Sequence, residues 1–254
     1  MGPIELCRGA RPTARCGGHV TVIFPTCIAD MLRPGLASRM RGLLARRGVQ
    51  STVARHTTCC GQPAYNAGYA AEARRVARPT LRALAKTEGP IVVPSGSCTA
   101  MMAKHWPDLF ANTPDAGRAT AVSIRVVELT QLLATLTSER SAPDDRGPVA
   151  YHGSCHLERE LGVRVEPRAL LTAQGYEVRE PAGADRCCGF GGTFSVKLPA
   201  VSVAMADEKL DTLAATGAST VVGCDLSCLV HLEGRARSRG LSLQFSHIAE
   251  QLDG

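Results

Sequence analysis

Apolar residues along the chain fall into two alternating patterns. Short β-branched runs, HVTVIF (19–24), VQSTVA (49–54) and PIVVPS (90–95), suit buried strands. Between them lie longer segments with helical spacing. Leu36, Met40, Leu43 and Leu44 stand at i, i+4, i+7 and i+8, and Gly48 is placed to end that helix. A second helical stretch, roughly 66–87, carries Pro79, which is expected to kink or split it. The same order then returns. GPVAYH (147–152) leads to a helix containing Leu170 and Leu171 that stops at Gly175. GYEVRE (175–180), a helical stretch over roughly 199–216 and STVVG (219–223) follow.

Strands alternating with helices predict parallel sheets. The expected fold class is therefore α/β, two pseudo-repeated β-α-β-α-β units. Residues 101–148 connect the copies, with a single helix expected over about 119–138 and a polar linker, SERSAPDDRGP. The expected organisation is an N-terminal extension, 1–18, a first repeat, 19–118, a connecting helix and linker, 119–147, and a second repeat, 148–254.

Composition narrows the function classes. A hydrophobic share of 44% and a charged share of 20% are those of a globular protein in water. The net charge of +6 does not signal nucleic-acid binding. Only four of the 29 basic residues are lysine, the arginines are scattered, and aromatics, at 4%, do not interleave with them as a stacking platform requires. No apolar run approaches the ~18 residues of a membrane span. The first residues, MGPIELCRGARPTARCGGH, lack the apolar core of a signal peptide, so a cytoplasmic location is expected.

Cysteine is the outlier. Eleven of them in a chain without a secretory signal argue for metal or redox chemistry rather than a disulfide framework. Cys27 and Cys155, Cys59 and Cys187, and Cys60 and Cys188 each stand 128 residues apart, and Cys98 and Cys224 stand 126 apart. A glycine follows each adjacent pair, in CCGQPAYNAGY and CCGFGGTFSVK. The chain thus reads as two copies of one unit. Every cysteine group follows the carboxyl end of a strand, where ligands of open parallel sheets collect.

The first site offers Cys27, Cys59, Cys60 and Cys98, and the second Cys155, Cys187, Cys188, Cys224 and Cys228. Neighbouring side chains of an extended strand point to opposite faces, so adjacent thiols need a sharp turn to share a cavity. Gly189, Gly191 and Gly192 supply the positive φ for one. Four thiolates satisfy zinc or an iron–sulfur cube, whereas a fifth is one too many for tetrahedral zinc. After Cys98 come Thr99, Ala100, Met101 and Met102, so the first copy lacks a fifth thiol there. Cys7 and Cys16 lie outside the repeat. His152 and His156 flank Cys155 and are placed to hydrogen-bond sulfur or to fill space. His247 is expected to cap or pack a C-terminal helix, and Asp225 to shape the loop between Cys224 and Cys228. CGFGGT lacks the Gly-Lys-Ser/Thr of a phosphate loop, and neither a dinucleotide fingerprint nor a flavin motif is present, so no catalytic residue is assigned.

The spacing of Cys, Cys-Cys-Gly and a closing pair of cysteines, with PTCIADML, PSGSC, YHGSCHL, DLSCL and HIAE, resembles the cysteine-rich CCG-domain family. That family includes the B subunit of heterodisulfide reductase and the iron–sulfur subunit of glycolate oxidase. The resemblance implies an iron–sulfur redox subunit acting in oxidation of L-lactate to pyruvate. Its implied partners are a ferredoxin-like iron–sulfur protein and a third subunit of a lactate-utilization complex. It also implies a [4Fe–4S] cluster, non-cubane in the heterodisulfide reductase relative, on Cys155, Cys187, Cys188, Cys224 and Cys228. A second cluster, zinc or nothing is left for the first repeat. Two departures stand out: the last pair is spaced C-x-x-x-C, and the first repeat lacks its fifth thiol. A glycolate or heterodisulfide system and a zinc-stabilised scaffold remain the alternatives.

Overall fold

The computed structural model describes residues 18–136 and 145–253. Cys7, Cys16, nearly all of the expected N-terminal extension and most of the polar linker lie outside them. The chain divides into two compact units, meeting in sequence near residue 140.

In the first unit, strands β1 (Thr21–Ile23), β2 (Ser51–Val53), β3 (Ile91–Val93) and β4 (Val126–Glu128) form an all-parallel sheet in the order β2-β1-β3-β4. The second repeats it with β5 (Gly147–His152), β6 (Tyr176–Arg179), β7 (Thr220–Gly223) and β8 (Gln244–His247), in the order β6-β5-β7-β8. The α/β class and the duplication are as expected, but each unit has four strands rather than three. Residues of β1, β3 and β4 are all buried, as strands covered on both faces must be.

The single helix expected over about 119–138 is instead a helix, a strand and a helix: Ala116–Ser123, β4 and Leu129–Thr135. The β-branched pair Val126–Val127 makes the strand, and Glu128 ends it. Its carboxylate accepts from the N–H groups of Thr130 (2.6 Å) and Gln131 (3.2 Å), capping the second helix. His247 holds the same place at the end of β8. There Nδ1 accepts from Ala249 N–H at 3.1 Å while Glu250 accepts from His247 N–H at 2.7 Å.

The helix Leu36–Arg46 buries Leu36, Met40, Leu43 and Leu44 and ends before Gly48, which takes φ 74°. The helix Ala70–Leu84 is not split at Pro79. Its buried face, Ala73, Ala77, Thr80, Leu81 and Leu84, runs on both sides of the proline and holds the turns together. The only tryptophan, Trp106, is fully buried in the first core and donates from Nε1 to the Cys60 carbonyl at 2.9 Å. The core thereby grips the backbone of a candidate ligand. Among the described residues no helix is long and apolar enough to cross a membrane.

Candidate metal centre

In each sheet the strand order reverses direction between two central neighbours, β1 and β3 or β5 and β7. Connections leaving such a pair run to opposite faces and open a crevice between them. Cys27 and Cys98 follow β1 and β3, and Cys155 and Cys228 follow β5 and β7. The adjacent pairs, Cys59–Cys60 and Cys187–Cys188, arrive on the loops after β2 and β6.

In the first unit the four thiols form one chain of contacts. Cys59 accepts from the thiols of Cys27 and Cys60 and from Gly61 N–H at 3.3 Å, and Cys60 and Cys98 Sγ stand 3.2 Å apart. A sulfur that accepts several hydrogen bonds favours its charged form. The Cys27 thiol first, then that of Cys60, pulls Cys59 down to about 3. The donors move the other way. Cys27 is pushed up by its bond to Cys59 and by burial, and Cys60 by its bonds to Cys59 and Cys98 and by burial.

The second unit repeats the chain as Cys155, Cys187, Cys188 and Cys228. Cys187 accepts from Cys155 and Cys188 and from Gly189 N–H at 3.4 Å, and is held down at about 2. Its bond to Cys187 and burial raise Cys155, and bonds to Cys187 and Cys228 with burial raise Cys188. At Cys228 the bond to Cys188 pulls down, and burial with the Asp225 charge outweighs it, so the thiol is raised. Asp225 precedes the helix Leu226–Ser238; its carbonyl accepts from Cys228 N–H at 3.1 Å and its carboxylate from Ser227 Oγ at 3.0 Å.

Sheet register corrects one pairing of the two copies. Val22 pairs with Ile91 and Ala150 with Val221, so residues of β1 lie 128 before their counterparts and residues of β3 lie 130 before theirs. Cys98 therefore corresponds to Cys228, each three residues beyond a helix cap, Ser95 or Asp225. Cys224 corresponds to Pro94. The thiol without a counterpart is Cys224, before the helix, and not a residue after Cys98. Buried Cys224 Sγ lies 3.5 Å from the hydroxyl of Tyr151, and its carbonyl lies 3.2 Å from His247 Nε2.

The glycine after each pair has a specific task. Gly61 and Gly189 take φ 92° and 87°, and a Cβ on them would lie 2.8 Å from the Ala73 carbonyl oxygen or 2.6 Å from that of Ser202. The bare backbone lets the cysteine loop lie directly on the following helix. Gly191 and Gly192 also take positive φ, 52° and 64°, as the sequence demanded.

Three side chains distinguish the second unit. His152 is buried, and both ring nitrogens lack a hydrogen-bond partner. Burial above all, then the Lys209 charge, pushes its pKa down to about 3, so the ring is neutral. A ligating atom of His152 and the sulfurs of Cys188 and Cys228 all lie within 4.8 Å of one another. Lys209, also buried, donates to the carbonyls of Ala184 (2.7 Å) and Gly183 (3.4 Å). Burial lowers its pKa against the opposing pull of Cys188, Glu158, Asp185 and Cys228. Sequence reasoning missed Lys209; its signal was rarity, one of four lysines in the chain. His156 is peripheral, with Nδ1 3.5 Å from Cys155 Sγ and Nε2 3.9 Å from Glu160.

Soft thiols in mutual contact, with an imidazole beside those of the second unit, fit a metal–sulfur group that displaces their protons. Comparison with known proteins agrees. The family model of the CCG cysteine-rich domain matches residues 21–103 and again 149–233. Lactate utilization protein A of Exiguobacterium sp. strain AT1b is 39% identical over 236 residues, covering 91% of this chain and 96% of that protein. The protein of the same name from Shouchella clausii is 37% identical over 238 residues, covering 91% and 97%. Lactate utilization protein A 2 of Bacillus cereus strain Q1 is 35% identical over 233 residues, covering 91% and 96%. The chain belongs to the CCG cysteine-rich domain family and carries the domain twice.

Proposed function

We propose that the chain is the iron–sulfur redox subunit of a complex that oxidises L-lactate to pyruvate, located in the cytoplasm. The observation that carries this is the repeated chain of four touching thiols at the switch point of each sheet. Relatives covering almost the whole chain bear the lactate utilization name. A [4Fe–4S] cluster would supply one-electron transfer at such a site. Cys155, Cys187, Cys188 and Cys228 hold it in the second unit, with Cys224 as the fifth thiol. Cys27, Cys59, Cys60 and Cys98 hold a second cluster, or zinc, for which four thiolates are a complete set.

The protein's own groups tune this centre. Gly61 and Gly189 donate N–H hydrogen bonds to cysteine sulfur, which lowers electron density there and favours the reduced state. Lys209 sets a buried positive charge against the anionic sulfurs. Electrons pass to a ferredoxin-like iron–sulfur partner, and a third subunit completes the complex.

Growth tests the reading. Introduced into a bacterium deleted for its own lactate utilization protein A, this chain is expected to restore growth on L-lactate, and Cys187→Ser is expected to fail. Restored growth on glycolate but not on lactate would move the substrate assignment to the glycolate system.

A further inference from the structure

We propose that a ring nitrogen of His152 is an iron ligand of the second unit's cluster, beside Cys188 and Cys228. The inference rests on the iron–sulfur reading above and adds a donor that cysteine spacing does not reveal.

The first ground is an unpaid polar group. His152 is 1% exposed and neither nitrogen has a hydrogen-bond partner. A buried polar group left unmatched costs about 1–3 kcal/mol, and such groups are rare unless a bound species answers them. The second ground is position. His152 is the last residue of β5, at the switch point, and its ligating atom shares a 4.8 Å neighbourhood with two cysteine sulfurs. Iron held by those sulfurs is an acceptor for the lone pair of an imidazole nitrogen.

The third ground is the comparison the chain makes with itself. At the 128-residue offset of β1 and β5, His152 corresponds to Phe24, which is fully buried in the first core. An apolar ring therefore fills this place when only packing is needed. The neighbouring strand changes with it. His152 pairs with Gly223, where the first unit has Val93. A Cβ on Gly223 would lie 3.1 Å from the His152 carbonyl oxygen and 3.7 Å from its Cβ. Polar ring and bare neighbour occur together in one unit and neither occurs in the other.

A consequence follows for electron flow. An imidazole brings no negative charge to iron, so the reduction potential lies higher than it would with a thiolate at the same place, as with histidine ligation in other iron–sulfur centres. The competing arrangement is a ring N–H donating to sulfur, and the two differ in how strongly the nitrogen couples to the cluster's electron spin.

The test uses the full chain purified without oxygen, with iron and acid-labile sulfide measured in each sample and pulsed EPR recorded after reduction. The expected result is a strong nitrogen hyperfine coupling that changes on labelling histidine with ¹⁵N and is lost in His152→Phe, the residue the first unit uses. His152→Cys is expected to keep the cluster and shift its potential downward. An unchanged nitrogen signal in His152→Phe, or an unchanged potential in His152→Cys, with iron and sulfide present, would overturn the ligand assignment and leave the iron–sulfur reading standing. Absence of iron and sulfide from the wild-type protein would remove both.

Discussion

Replacing Cys188 by alanine is expected to strip the second unit of its iron and sulfide while leaving its fold in place. Cys188 is the hub of the thiol chain: it donates to Cys187, contacts Cys228 and shares the neighbourhood of His152. Losing it divides the donor set, so Cys155 and Cys187 no longer connect with Cys228. The change removes one buried sulfur, and a cavity that small costs roughly 1 kcal/mol, well within the stability of a domain. Iron and sulfide analysis together with circular dichroism checks the separation of the two effects. Full retention of cluster in a folded Cys188→Ala protein would place the ligands elsewhere.

Gly189→Ala is expected to act in the opposite sense, on the fold first. The new methyl would sit 2.6 Å from the Ser202 carbonyl oxygen and 3.0 Å from Met205 Cβ, and the obstacles are a backbone atom and a helix-bound Cβ that cannot swing away. Left-handed backbone costs a non-glycine residue about 1–2 kcal/mol, and forcing atoms into a packed region costs roughly 1–3 kcal/mol more. The sum is on the order of 2–5 kcal/mol, a large part of a small domain's stability. Any shift of the loop also disturbs two bonds, Gly189 N–H to Cys187 Sγ and Ser202 Oγ to the Gly189 carbonyl at 2.8 Å. A fall in Tm of about 10 °C or more is expected. Gly234→Ala in the same unit is the control. It lies within the helix Leu226–Ser238 with nothing within 4 Å of the new Cβ, so it should be neutral or stabilise by up to about 1 kcal/mol. Equal Tm values for the two variants would contradict the packing argument.

The sequence carried much of this site because three cysteine positions share one offset between the two copies. The 128-residue offset located both thiol groups, and GPVAYH proved to be β5 residue for residue. Three points were not legible. Val126–Glu128 is only three residues long and sits inside an apolar stretch that also suits a helix, so periodicity could not separate β4 from its flanking helices. Cysteine spacing alone matches Cys98 to Cys224, because the repeat gains two residues between the paired cysteines and the third strand. Only the pairing of Ile91 with Val22 and of Val221 with Ala150 reveals that step. The burial of His152 and Lys209 is a third case. His152 pairs with Gly223 of β7 and lies near Cys188 and Cys228, while Lys209 donates to carbonyls of the loop after β6, and no local pattern announces partners so distant in sequence.

The central claim is that thiol chains at the two switch points hold iron and sulfide rather than serve as packing. It is tested most directly by measuring iron, acid-labile sulfide and zinc per chain in anaerobically purified protein, beside Cys228→Ser and Cys98→Ser. Matched iron and sulfide in the wild type, lost from the second unit with Cys228→Ser and retained there with Cys98→Ser, is the predicted result. Zinc at both sites with no labile sulfide would contradict the account and leave a metal-stabilised scaffold with no redox role.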